Sequence, residues 1–146
     1  MKKLLSKKLG ELLVECKLIS REELDEALQI QTEKSGVLIG QVLVQMGLIT
    51  ENAIAQALTA QYGFPYLPLA GYDIDPEVAK IIPENMSKQY ELIAVDRVGN
   101  ALTVAMSNPL HSQALEDVEM LTHFKVQVFV STASDVNAAI KRSYKA

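Results

Sequence analysis

The chain has 146 residues, of which 49% are hydrophobic and 22% charged, and a net charge of −4 at pH 7. That size fits one domain or two small subdomains sharing a core, and the acidic balance excludes a general binder of nucleic-acid polymers. Tryptophan is absent and aromatics make up 5%, so the core is aliphatic; the single cysteine, Cys16, excludes an intrachain disulfide.

The N-terminus, MKKLLSKKLGELL, is basic, but Lys7, Lys8 and Glu11 interrupt its apolar stretch and make it a poor signal peptide. No apolar run approaches the roughly 18–20 residues needed to cross a bilayer. The expectation is a cytoplasmic chain without direct membrane insertion. Leu5, Leu9, Leu12, Leu13 and Cys16 are spaced to share one face of a helix over 5–16. Ser20 and Glu23 form an S-x-x-E capping box that opens a helix over about 21–33, with Leu24, Ala27 and Leu28 on its apolar face. After the spacer 34–36, a short helix runs from Leu38 to Met46. Gly47 suits the left-handed residue that stops it, and Leu48 folds back as its apolar partner. Thr50 caps a helix reaching Gln61, which Gly63 and Pro65 end.

These elements are one unit written twice. Residues 9–31 and 39–61 align at an offset of 30 with eight identities in 23 positions, among them Gly10/Gly40, Leu13/Leu43, Val14/Val44, Leu18/Leu48 and Gln31/Gln61. Each copy is a short helix, a tight turn and a longer helix, and such a unit buries its apolar side against its duplicate. In the first copy Lys17 stands where the second has Gly47. A left-handed lysine there costs about 1 kcal/mol.

Beyond Pro65 the pattern changes. Residues 66–69 are a short extended piece; Asp75 and Pro76 start a helix ending before Pro83; 84–90 is a further helical turn or two. Runs 92–98 and 101–106 read as strands joined at Gly99-Asn100, 111–122 as a helix and 126–130 as a strand. Ser131 or Ser134 is positioned to cap a last helix towards Tyr144. The predicted fold class is α+β. A helical subdomain of two tandem helix-turn-helix repeats (1–63) precedes a small α/β subdomain (64–146) with a mostly antiparallel sheet of three to four strands.

No G-x-x-x-x-G-K-[ST], H-E-x-x-H or C-x-x-C motif is present. His111 and His123 lie at opposite ends of one helix, which argues against a shared metal site. Glu116, Asp117 and Glu119 read as a solvated helix face rather than a catalytic cluster, since no nucleophile or base accompanies them. Nothing indicates an enzyme, a required cofactor or a metal. Gly10 and Gly40, inside short helices, serve either close helix packing or an open backbone for a flat ligand. Gln31 and Gln61 either close an apolar face or contact a ligand.

The pattern R-L-G-x-x-L-V-x-x-G-x-L-x-x-x-x-L-x-x-x-L-x-x-Q, twice in tandem, resembles the N-terminal domains of type II secretion and type IV pilus assembly ATPases, the GspE N-terminal or MshEN domains. The stretch IPENMSKQYELIAVDRVGNALTVAMSNPLHSQALEDVEMLT resembles their second subdomain. The resemblance implies a non-catalytic regulatory or docking domain. It would link a secretion or pilus ATPase, in the same or a separate chain, to an inner-membrane platform protein, and would be peripheral to that membrane through its partners. It also implies an alternative: a sensor that binds cyclic di-GMP across both motifs. Carried onto this sequence, the ligand positions are Lys8, Leu9, Gly10, Leu13, Val14, Leu18, Gln31, Leu38, Ile39, Gly40, Leu43, Val44, Gly47, Leu48 and Gln61. Lys8 and Leu38 occupy the arginine positions. Arginine can pair with guanine O6 and N7 together, lysine offers a point charge and leucine nothing, so each loss costs about 1.5–3 kcal/mol.

Overall fold

The computed structural model describes residues 9–34 and 37–144. The expected start of the first helix, residues 5–8 with Lys8, lies outside the described residues, as does most of the spacer.

In the first half α1 (Leu9–Glu15) leads to α2 (Arg21–Glu33), and α3 (Ile39–Gln45) to α4 (Glu51–Tyr62). The caps form where the sequence puts them. Ser20 and Glu23 make the reciprocal capping box, and the Thr50 hydroxyl accepts from the Ala53 N–H at 3.1 Å. The turns of the two copies are superimposable in their bonding. Lys17 donates to Val14 O and Leu18 to Leu13 O; thirty residues later Gly47 donates to Val44 O and Leu48 to Leu43 O. Both turn residues are left-handed, Lys17 at φ 61° and Gly47 at φ 75°. The duplicated pattern therefore folds twice in the same way, and the lysine takes the glycine's conformation.

Apolar residues of both copies close on one another. Leu13, Leu43, Leu58 and Ala27 are buried at their centre, and Leu110 and Val130 from the second half belong to the same cluster.

The second half contains α5 (Pro76–Ala79), α6 (Glu84–Tyr90), β1 (Leu92–Val98), β2 (Ala101–Met106), α7 (Ser112–Thr122), β3 (Lys125–Val130) and α8 (Ala133–Ser143). The sheet has the order β1-β2-β3. β1 and β2 pair antiparallel through the Gly99-Asn100 turn, with a register shift between Ala94 and Asp96. β3 joins β2 in parallel, Leu102 opposite Val126, so the sheet is mixed. The reason is topological: α7 lies between β2 and β3, and a connection containing a helix returns the chain to the same end. Both faces are covered. Ile93, Val95 and Ala105 meet Val136, Ala139 and Ile140 of α8, while Leu92, Leu102 and Val104 meet Ala114 and Val118 of α7. That is why β1 begins with four consecutive buried residues rather than alternating.

The last helix is capped by Thr132, whose hydroxyl accepts from the Asp135 N–H, and not by Ser131 or Ser134. Ser131 is buried, and Ser134 is engaged by Glu51 at 2.8 Å through its N–H and 2.7 Å through its hydroxyl.

Candidate functional site

Two clefts open along the seam between the repeats and the α+β half. The first, about 420 Å³, lies on the first copy of the motif. Leu9, Gly10, Leu24, Leu28 and Gln31 line it, with Leu38 and Ile39 from the second copy and Asn108, Leu110, His111 and Gln113 from the far side. The second, about 360 Å³, lies on the second copy. Leu38, Gly40, Val44 and Ile54 form its apolar floor together with Leu9, and its polar wall includes Gln41, Glu51, Glu91, Ser107, Ser131 and Asn137. Leu9, Leu38 and Asn108 line both clefts.

The two motif glycines differ in what they permit. A Cβ on Gly10 would stand 2.5 Å from Leu24 Cδ1, inside van der Waals distance, so Gly10 serves close packing of α1 on α2. A Cβ on Gly40 would meet Leu9 at 3.6 Å and Ile54 at 3.8 Å, ordinary contacts that leave the backbone open to the cleft. Gln31 donates to Val37 O at 3.1 Å, bracing the chain as it enters the second copy, and its side chain edges the first cleft.

The remaining motif residues divide. Leu13 and Leu43 are fully buried and belong to the core. Val14 is half-buried against that core and lines neither cleft, and Leu18 is 42% exposed in the first turn. Gly47 and Leu48, with Val44, border a shallower groove beside Thr50 and Asn52. Gln61 is exposed and lines neither cleft, so the two motif glutamines are not equivalent. Lys8 lies outside the described residues.

The polar wall of the second cleft is the part that motif reading missed. Glu91 ends α6 in a left-handed conformation, φ 55°, and is 3% exposed. Its carboxylate accepts from Gln41 Nε2 and Asn137 Nδ2, both at 2.9 Å, and from the Ser107 hydroxyl at 2.5 Å. Gln41 in turn accepts from the Leu38 N–H at 3.0 Å. A relay thus runs from the first turn of α3 to the end of α6. No local pattern around Glu91 announces it, because all three side-chain donors come from distant parts of the chain.

At the first cleft, His111 meets the Tyr90 ring edge-on, with centroids 5.2 Å apart. Burial pushes the imidazole below its ordinary pKa, and the charge of Asp117 opposes that shift in part. Asp117 accepts from Tyr90 and Gln113, bonds that hold its carboxyl below the usual range and raise the phenol. Among the described residues no group of three or more His, Cys, Asp or Glu could hold a metal ion, and no helix is long and apolar enough to cross a membrane.

Comparison with known proteins gives the family of the chain. The family model for the MshEN domain matches residues 62–146. The type IV pilus assembly ATPase PilB of Myxococcus xanthus is 35% identical over 140 residues, covering 96% of this chain and 25% of that protein. PilB of Thermus thermophilus is 36% identical, over 94% of this chain and 16% of that protein. The chain therefore spans a quarter or less of the curated relatives' length. Among solved structures, the N-terminal domain of XpsE matches with a TM-score of 0.76 at 21% identity, over 94% of each chain, which shows the α+β fold. A structure of MshE with cdg, cyclic di-GMP, matches with a TM-score of 0.68 at 25% identity, over 94% of this chain and 99% of that one. The matched region is a domain of secretion and pilus ATPases separate from their catalytic ATPase part, and this chain belongs to the MshEN domain family.

Proposed function

We propose that the chain is a non-catalytic regulatory module of a secretion or pilus motor and that cyclic di-GMP is its signal. The observation that carries this reading is the pair of clefts, one on each motif copy, sharing Leu9 and Leu38 as a common wall. A ligand with two halves would set one half on each copy of the motif there. The solved structure of MshE with cyclic di-GMP supports the choice of ligand. The bed is apolar, and Leu38 supplies no charge-assisted bond, so binding is weaker than with an arginine there by roughly one to two decades. Titration calorimetry tests this. The wild-type chain should bind cyclic di-GMP saturably, and Leu38→Arg should tighten it at least about tenfold. Absence of heat from both proteins removes the reading.

A second role, docking of the motor to an inner-membrane platform protein at its cytoplasmic side, is favoured by apolar surface away from the clefts. Val98, Met120 and Leu121 are 70%, 77% and 50% exposed and line neither cleft. Capture of the platform protein's cytoplasmic domain should be lost in Met120→Glu/Leu121→Glu and kept in Gly40→Glu. The reverse pattern would put docking on the motif face instead.

A further inference from the structure

Glu91 carries two local penalties at once. Its side chain is buried, at 3% exposure, where a carboxylate loses its hydration, and its backbone at φ 55° is in the region that favours glycine. All three of its side-chain donors are neutral, and they come from three places: Gln41 on α3, Ser107 just after β2 and Asn137 on α8. One carboxylate thus sets a repeat helix against the last helix of the chain.

The last helix meets the repeats at a second point. Ser134, three residues before Asn137 and on the same helix face, donates its N–H and hydroxyl to Glu51 of α4. Both clasps stand in the wall of the second cleft, to which α8 contributes Ser134 and Asn137 and the repeats contribute Gln41 and Glu51. The far end of α8 is fastened elsewhere. The Tyr144 hydroxyl is shared between the carbonyls of Ala79 at 2.8 Å and Ile82 at 2.6 Å, and it pairs with the Ser87 hydroxyl at 2.8 Å. A single helix therefore runs from the cleft to the turn between α5 and α6.

Resting on the cyclic di-GMP reading for its ligand, we propose that Glu91 is the pin of a joint through which the second cleft controls α8. A ligand that touches both walls makes all its contacts only while the joint is closed, so it holds α8 against the repeats. By linkage, opening the joint weakens the ligand by the same factor. The signal leaves the cleft along α8 towards the Tyr144 latch.

Hydrogen exchange on the whole chain tests this. The amides of Ala139 and Ile140 report on α8, and that of Val104 in β2 reports on global unfolding. Without ligand, Gln41→Ala, which removes a bond to Glu91 and none to α8, should speed exchange in α8 roughly tenfold relative to Val104. Glu91→Leu should do the same. Glu91→Gln should keep exchange slow, because the Ser107 hydroxyl can rotate to accept from the new amide. With cyclic di-GMP at about ten times each protein's Kd, α8 should gain roughly tenfold protection in the wild type and almost none in Glu91→Leu, where it opens without releasing the ligand. If Gln41→Ala speeds α8 and Val104 equally, the effect is global unfolding and the joint is wrong. The joint is also wrong if bound ligand leaves α8 exchange in the wild type unchanged. If the wild type binds no cyclic di-GMP at about 1 mM, the cyclic di-GMP reading falls alone, and the ligand-free exchange still decides the joint.

Discussion

Gln41 reaches across the seam to Glu91, amide to carboxylate at 2.9 Å, from a residue fifty positions away in the chain. The bond ties the helix that carries Gly40 to the end of α6. Glu91 is nearly fully buried, so losing a donor leaves part of a charged group unsatisfied. Gln41→Ala should therefore cost about 1–3 kcal/mol, more than an average surface substitution. The urea midpoint measures it, and an unchanged midpoint would show that water replaces the amide without loss.

The glycine pair predicts opposite outcomes for the same change. Gly10→Ala drives a methyl into Leu24, itself 2% exposed, and overpacking of that kind costs about 1–3 kcal/mol against a helix-propensity gain of about 1. Gly40→Ala meets only ordinary contacts and should stabilise the chain by about 0.5–1 kcal/mol while narrowing the second cleft. Parallel thermal melts decide it; melts that shift in the same direction would contradict the packing argument.

Lys17 sits at φ 61° where its counterpart is Gly47. Lys17→Gly relieves about 1–2 kcal/mol of left-handed strain and gives back part of it in unfolded-state freedom, for a net gain of about 0.5–1. Gly47→Ala should lose about 1 kcal/mol. Chemical denaturation of both variants checks the pair.

His111 has a folded pKa below its ordinary value because burial disfavours the imidazolium. As pH falls through about 6.5, unfolded chains take up a proton that folded chains refuse, so stability declines from there downwards until the folded imidazole titrates. His111→Gln should flatten the stability profile between about pH 7 and 5. A wild-type melting temperature constant across that window would refute the assignment. Asp117, whose folded pKa is depressed, contributes its loss in a separate and more acidic range.

Much of this arrangement is written locally. Ser20 with Glu23, Thr50, Gly47 and Asp75 announce their helices within three or four residues, and their caps form as expected. The duplication carries the register of both helix pairs. What escaped is what depends on distant neighbours. The parallel pairing of β3 follows from where α7 packs, which periodicity does not state. Thr132 rather than Ser131 caps α8 because Ser131 is drawn into the seam and Ser134 is held by Glu51. Glu91 resembles any surface glutamate beside a strand, and its partners Ser107, Asn137 and Gln41 stand 16, 46 and 50 residues away. The two motif glutamines look alike in sequence, yet Gln31 finds the Val37 carbonyl while Gln61 faces solvent.

Leu110 and Val130 lie late in the chain but pack among the leucines of the repeats. Severing the polypeptide after residue 63 would strip those two side chains from the aliphatic interior and bare an oily scar on the fragment left behind. The helical pair is thus expected to cling to itself or to a carrier when expressed alone, and to become well-behaved again when the missing half is supplied in trans.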